Sequence, residues 1–207
     1  MDRVAALAAL LSADPLRSAA LAAVASLGLP DCWIGAGFVR DALWDHLHGR
    51  EPAAPVGDVD VVWFCRTAGK GVDRDSEEKL RALLPGLRWS VKNQARMHRH
   101  NGDAPYRSVA DAMMHWPETA TAVAARYEGR GVEINAPLGL DDLFELRLHG
   151  WFSGREARCF RPAGFVEAMV AALSVGEHGG GINVHHAGKE KARAEARASP
   201  PWQMRRV

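Results

Sequence analysis

A pair of aspartates in the first third of the chain has the spacing of a metal site. Asp58 and Asp60 stand two positions apart in DVDVVWF, a stretch with strand-like alternation that would turn both carboxylates to one face. Two ionised carboxylates roughly 6–7 Å apart along a strand repel each other unless a cation neutralises them. Mg²⁺ (or Mn²⁺) prefers such oxygens together with substrate phosphate, so the pair predicts a metal site. The alternative is an edge strand whose acidic face is only solvated.

A glycine turn precedes the aspartates. In Gly35-Ala36-Gly37 the glycines permit close backbone approach, and the helix that follows would point its first amides at the turn. Arg40 lies within about one helical turn of these glycines, where a guanidinium can hold a triphosphate with two hydrogen bonds. The turn therefore predicts a phosphate site, while a surface salt bridge between Arg40 and Asp41 is an equally good explanation of the arginine.

Polar residues end a later predicted strand, RWSVKN, which should lie beside the strand of the two aspartates. Lys92 and Asn93 at this strand end would contact the base or phosphate of a nucleotide. Capping of the helix that follows is the alternative explanation of the same residues.

The elements that must position these residues alternate between strand and helix. Strands are predicted at about 32–35, 58–64, 87–93 and 131–137. Helices are predicted at about 3–11, 15–27, 38–48 and 139–146, with a charged loop followed by a helix over 67–86 and a helix that ends in a turn over 94–106. Between 108 and 129 the pattern predicts two short helices broken at Pro117. Residues 1–150 are therefore predicted to form one α/β (α+β) domain, with a small mixed β-sheet flanked by helices.

Residues 151–207 differ in character, combining a glycine run, the basic stretch KEKARAEAR and a proline pair. Their apolar content is too low for a well-packed core, which predicts a poorly ordered or peripheral tail. RNA binding by the basic stretch is a weaker alternative.

The composition is that of an ordinary globular protein. Hydrophobic residues make up 47% of the chain, charged residues 25%, and the net charge is +1. No stretch reaches the ~18 apolar residues of a membrane span. Cys32, Cys65 and Cys159 are odd in number and widely spaced, as expected of free thiols in a reducing compartment. These features predict a cytoplasmic protein with no membrane partner.

The order of these motifs resembles a known group of enzymes. GAGFVRD followed by GDVDVVWF is similar to the head of the DNA polymerase β-type nucleotidyltransferase superfamily, which includes tRNA CCA-adding enzymes and poly(A) polymerases. The blocks VRDALWDHLHG, WSVKNQARMH, WPETATAV and APLGLDDLF, within roughly residues 15–146, resemble a bacterial family of predicted nucleotidyltransferases. The resemblance implies a polymerase β-like fold that transfers a nucleotide from an NTP to a hydroxyl acceptor with two metal ions.

Matching the motifs position by position assigns roles to five residues. Gly35 and Gly37 would hold the triphosphate, and Arg40 would contact its phosphates. Asp58 and Asp60 would be the catalytic carboxylates and the Mg²⁺ ligands.

The chain departs from the superfamily where many members carry a third carboxylate. The matching position here is Ser90, and Glu133 in GVEIN is a possible third acid because it has the same hydrophobic-acid-hydrophobic pattern. The general base is unassigned, so a catalytically silent nucleotide-binding or interaction module of the same fold is the alternative function. The acceptor could be a small molecule, a protein or RNA, because acceptor specificity is not encoded by the shared core.

Overall fold

A computed structural model describes residues 2–129 and 131–149 of the chain. The predicted tail, residues 151–207, lies outside these described residues, and its character stays a prediction.

Helices and strands alternate along the described chain much as predicted. The helices are α1 (Arg3–Ala13), α2 (Pro15–Ala25), α3 (Gly37–Leu47), α4 (Gly71–Leu83), α5 (His98–Asn101), α6 (Val109–Met113) and α7 (Asp141–Phe144). The strands are β1 (Trp33–Gly35), β2 (Val59–Trp63), β3 (Trp89–Asn93), β4 (Ala124–Glu128) and β5 (Gly131–Asn135). Short 3₁₀ turns occupy Gln94–Arg96 and Thr119–Thr121.

The strands form a five-stranded sheet in the order β3-β2-β1-β4-β5. β2 and β3 run parallel, whereas the other neighbouring strands pair antiparallel. α4 lies between β2 and β3 in sequence and supplies the crossover that a parallel pair requires. The predicted mixed sheet with flanking helices is therefore confirmed.

The second helix predicted between Pro117 and Gly129 is wrong. Only a 3₁₀ turn, Thr119–Thr121, forms there, and the chain then enters β4. Ala124 and Ala125 are good helix formers, yet both are fully buried and pair with β1 and β5 in the sheet. Burial between two strands outweighs local helix propensity, which is a weak prior.

The two faces of the sheet differ. On one face, Trp63 of β2 donates its indole N–H to Asp73 of α4. On the other face, Val62 packs with Val109 and Met113 of α6 in an apolar cluster. Because side chains alternate along β2, Asp60 shares the face of Val62. α6 thus covers one end of this face, and Asp60 lies at the other end.

The first two helices meet at Asp14. Its carboxylate accepts hydrogen bonds from the amides of Leu16 and Arg17, so Asp14 caps α2 as predicted, with Pro15 at the first helical position. Among the described residues no single helix is long and apolar enough to cross a bilayer. α1 and α2 pass that test only when taken together, and they are bent by 96°.

A buried arginine joins these helices to the chain segments that carry the site. Arg17 is 1% exposed and forms a salt bridge with Asp14. Its guanidinium also donates to the carbonyl oxygen of Phe38 at 3.1 Å and to that of Ala53 at 3.0 Å. Arg17 therefore connects α2, the first turn of α3 and the loop that leads to Asp58.

Candidate functional site

The sheet register places Asp60 in the middle of the candidate site. Asp60 pairs with Gly35, the last residue of β1, across the antiparallel ladder. On its other side it pairs with Ser90 in the parallel ladder to β3. The expectation that Ser90 occupies the strand position beside the aspartates is therefore confirmed, and the carboxylate lies directly beside the glycine turn.

The Asp60 carboxyl is electrostatically unusual. Burial, and next to it the negative charge of Asp58, raise its pKa from the ordinary 3.8 to about 6. A hydrogen bond from Ser90 and the positive charge of Lys92 act in the opposite direction but do not cancel the rise. The ionised form of Asp60 is thus disfavoured, and a cation bound beside it would stabilise that form.

Asp58 lies one residue before β2 and is exposed. The guanidinium Nε of Arg88 lies 3.4 Å from its carboxylate, and the same arginine donates to the carbonyl oxygen of Val56 at 3.0 Å. Sequence reasoning missed Arg88. The alternation of Arg88, Ser90 and Lys92 in RWSVK could have revealed it, since these three side chains must share one strand face.

The two aspartates are carboxylates of the kind that a divalent cation binds, and any further ligands of such a cation would not be protein groups of the described residues. Asp60 lies in β2 and Asp58 just before it, and the negative charge of Asp58 acts on the Asp60 carboxyl. In the described part of the chain no three His, Cys, Asp or Glu side chains converge on a common metal position. A metal here would be completed by phosphate and water, which is how Mg²⁺ is commonly bound, whereas zinc sites usually have three or four protein ligands.

The glycine turn is tight and its helix is uncapped. A Cβ at Gly35 would lie 2.9 Å from Cη2 of Trp116 and 3.3 Å from the carbonyl oxygen of Val123, so the position has room only for glycine. Ala36 has φ 56°, a conformation that is costly for a residue with a side chain. No side chain caps α3, and the Val39 N–H donates to the carbonyl oxygen of Ala36, so the amides of Gly37 and Phe38 are the ones open to an anion.

Arg40 and Asp41 lie over the start of α3. A Cβ at Gly37 would be 3.7 Å from a terminal nitrogen of Arg40 and 3.5 Å from a carboxylate oxygen of Asp41. The arginine also pairs with Asp41 at 2.8 Å, approaches Glu118 to 4.0 Å and stacks on Trp44. The salt bridge between Arg40 and Asp41 is therefore present. The Arg40 guanidinium nevertheless lies over the glycine turn, where the sequence predicted contact with phosphate.

Of the two polar residues predicted at the end of β3, one shares the face of Asp60. Lys92 is half exposed, and its charge acts on Asp60. Asn93 is buried on the opposite face, where its amide bonds both the N–H and the carbonyl oxygen of Cys65 and the N–H of Ala95. The structure therefore does not place Asn93 at the candidate site; its role is to join the ends of β2 and β3.

Glu133 is not brought to the aspartates. It lies on β5, and both β1 and β4 separate that strand from β2. Its carboxylate forms an ion pair with Arg126 on the adjacent β4. Neighbouring strands are about 4.8 Å apart, so three strand spacings put Glu133 too far away to ligate a metal with Asp60.

Comparisons with known proteins concern the family and the fold of the chain. A family model described as Nucleotidyltransferase matches residues 22–158. A solved structure described as "The NMR structure of the protein reveals a CCA-adding enzyme head domain" aligns with a TM-score of 0.63 and 29% identity, covering 83% of this chain and 86% of that one. A "tRNA-processing enzyme (apo form 2)" aligns with a TM-score of 0.39 and 21% identity over 75% of this chain and 41% of that one. No curated protein matches the chain.

Proposed function

Because the chain belongs to the nucleotidyltransferase family whose model covers residues 22–158, we propose that it transfers a nucleoside monophosphate from an NTP to an acceptor hydroxyl. The observation that carries this proposal is the pairing of Asp60 with Gly35, which joins a carboxylate to the glycine turn. The acceptor oxygen attacks the α-phosphorus, and the bond from that phosphorus to the oxygen bridging the β-phosphorus breaks. Pyrophosphate leaves, and the acceptor proton passes to water.

The glycine turn supplies the groups that would hold the leaving pyrophosphate. The uncapped start of α3 offers backbone amides and the positive end of a helix dipole. Arg40 adds a guanidinium next to Gly37, and it can exchange its present carboxylate partner Asp41 for a phosphate. Binding energy at this end of the NTP would orient the α-phosphorus toward Asp60.

Asp58 and Asp60 would hold Mg²⁺ or Mn²⁺. Such ions supply Lewis-acid stabilisation of the charge that develops on the transferring phosphate. The protein's own contribution would be to hold two carboxylates two residues apart beside the turn, Asp60 in β2 and Asp58 just before it. The raised pKa of Asp60 supports this assignment, because a neighbouring cation removes the repulsion that causes part of the rise.

The free thiols and the substrate support a cytoplasmic location. Cys32 and Cys65 form no disulfide in the described part of the chain. Persistent free thiols and a supply of NTP are both typical of the cytoplasm.

The direct test measures NTP binding and pyrophosphate release. Each of the four NTPs is titrated by calorimetry with Mg²⁺, and pyrophosphate is measured with candidate acceptors. Asp60→Ala and Asp58→Ala should abolish Mg²⁺-dependent release, whereas Glu133→Gln should not change it. If no NTP binds in the presence or absence of Mg²⁺, the proposal fails.

A silent nucleotide-binding module is the second candidate. The observation favouring it is Ser90, which stands beside Asp60 while no third carboxylate joins the pair in the described residues. Nucleotide binding that survives Asp60→Ala, together with no turnover by the parent protein, would select this candidate. Turnover that Asp60→Ala abolishes would select the enzyme.

A further inference from the structure

The side of the sheet away from the glycine turn carries two cations, Arg88 and Lys92, beside the aspartates. β3 forms the sheet edge next to β2, and Val59 pairs with Trp89 at the start of the parallel ladder. Arg88 and Asp58 each immediately precede this pair, and Arg88 contacts the Asp58 carboxylate. With side chains alternating, the edge strand presents a guanidinium, a hydroxyl and an ammonium beside the two aspartates: Arg88, Ser90 and Lys92.

Both cations remain largely open to solvent. The Arg88 side chain is 68% exposed, and that of Lys92 is 50% exposed. The carboxylate that Arg88 contacts is Asp58, the same group that a divalent cation would take. The ammonium of Lys92 lies 3.1 Å from Glu77, whose oxygen also accepts the N–H of Val91. A metal at Asp58 would therefore leave the Arg88 guanidinium free for another anion.

The segment of the chain that contains β3 also carries a positive net charge. Residues 66–107, which form α4, β3 and α5, contain ten Lys and Arg against five Asp and Glu. The flanking segments, 2–65 and 108–149, together contain seven basic and fifteen acidic residues. The near-neutral net charge of the chain is thus unevenly distributed along the sequence, and the segment that contains β3 carries an excess of positive charge, which favours anionic ligands.

In-line transfer assigns this side to the acceptor. The attacking oxygen and the leaving pyrophosphate must lie on opposite sides of the α-phosphorus. β1 and the glycine turn flank β2 on one side, and β3 flanks it on the other. If the pyrophosphate is held at the turn by Arg40, the acceptor approaches over Arg88, Ser90 and Lys92.

We infer that the acceptor is a phosphate-bearing molecule whose phosphate is bound by Arg88 and Lys92 while its hydroxyl faces Asp60. This inference rests on the proposed nucleotidyl transfer, because that reaction defines which side is left for the acceptor. Arg88 supplies a planar pair of donors and Lys92 a compact charge, and both suit phosphate oxygens. A neutral sugar or an uncharged protein hydroxyl would leave these two cations unused.

The experiment measures equilibrium binding to the full chain with Mg²⁺ and a non-hydrolysable NTP analogue. The probes are ribose 5-phosphate, ribose as its neutral match, and a short RNA with a free 3′-hydroxyl. Arg88→Gln and Lys92→Gln are compared with Lys79→Gln, which removes an exposed cation of the same basic segment from α4. Binding of the NTP analogue alone is measured for every variant.

We expect the phosphate-bearing probes to bind and ribose not to bind. Arg88→Gln and Lys92→Gln should each weaken probe binding about tenfold, while Lys79→Gln changes it less than about twofold. For the RNA, each of these two substitutions should also reduce the slope of log binding constant against log salt concentration, because about one counterion fewer is released. Binding of RNA but not of ribose 5-phosphate identifies a nucleic-acid end as the source of the phosphate, and comparable binding of both identifies a small phosphorylated acceptor.

Other outcomes overturn the inference. If the NTP analogue binds but neither phosphate probe does, or if both variants bind the probes like the parent, the acceptor assignment is wrong and the proposed function stands. If the analogue itself does not bind, the proposed function fails first.

Discussion

Asp60 and Gly35 face each other across the antiparallel ladder of β1 and β2. This single pairing brings a carboxylate whose pKa is raised to about 6 next to the turn that opens α3.

The first prediction concerns the stability cost of Asp60. Its folded pKa, about 6, exceeds the ordinary 3.8, so the folded state binds the proton more tightly than the unfolded state. The parent should therefore lose stability as the pH rises from about 4 to 6. Without divalent metal, Asp60→Asn should be more stable than the parent at pH 7.5, by up to about 3 kcal/mol, with little difference near pH 4. Urea unfolding at both pH values measures this, with Glu51→Gln as an exposed control; an equal difference at both pH values would contradict it.

The second prediction concerns the space at Gly35. A Cβ there would lie 2.9 Å from the Trp116 ring, so Gly35→Ala must displace the ring or the strand. We expect a loss of about 1–3 kcal/mol of unfolding free energy. Gly86→Ala, which meets no atom within 4 Å, should change stability by less than about 0.5 kcal/mol. Chemical denaturation measures both. Partial recovery in a Gly35→Ala, Trp116→Leu double variant would identify the ring as the obstacle.

The third prediction concerns the geometry of Arg40. A lysine keeps the charge but cannot offer the planar pair of donors that a phosphate accepts from arginine. Arg40→Lys should raise the KM for NTP about tenfold or more with a smaller effect on kcat. Arg50→Lys, whose arginine pairs with Asp45 on the surface, should leave both values unchanged. Steady-state kinetics over a range of NTP concentrations give both values for each variant. An unchanged KM in Arg40→Lys would show that Arg40 does not bind the phosphates of the NTP.

The fourth prediction concerns the buried Arg17. Arg17→Met would leave the Asp14 carboxylate and the carbonyl oxygens of Phe38 and Ala53 without this partner. Breaking a buried ion pair from one side costs about 3–5 kcal/mol. Arg81→Met, at an exposed position on α4, is the matched control and should be nearly neutral. Thermal unfolding measures both, and equal melting temperatures for the two variants would show that the buried pair contributes nothing net.

The fifth prediction concerns the two described cysteines. Burial raises the pKa of Cys32 to about 12, whereas the Thr67 hydroxyl and nearby backbone groups lower the pKa of Cys65. Because the thiolate is the reacting species, Cys65 should be alkylated first at pH 8. Mass spectrometry of iodoacetamide-treated Cys159→Ser protein reports each site separately. Equal rates at Cys32 and Cys65 in the native state would contradict the assigned burial.

The sequence by itself determined most of the local elements and identified the candidate site residues. Asp14 with Pro15, the GAG turn and the alternation of DVDVVWF are local signals, because caps, turns and strand faces depend on neighbours within a few residues. The same locality identified Asp58, Asp60, Gly37 and Arg40 as candidates, whereas the alignment of Ser90 with the aspartates came from the resemblance to the superfamily.

Only the tertiary structure decided which residues meet. β4 forms because Ala124 and Ala125 are enclosed between β1 and β5, against their helical preference. The strand order then separates Glu133 from β2, and the strand register brings Arg88 to Asp58. Strand order and register are set by burial and by pairing between distant segments, so no local pattern in the chain could have specified them.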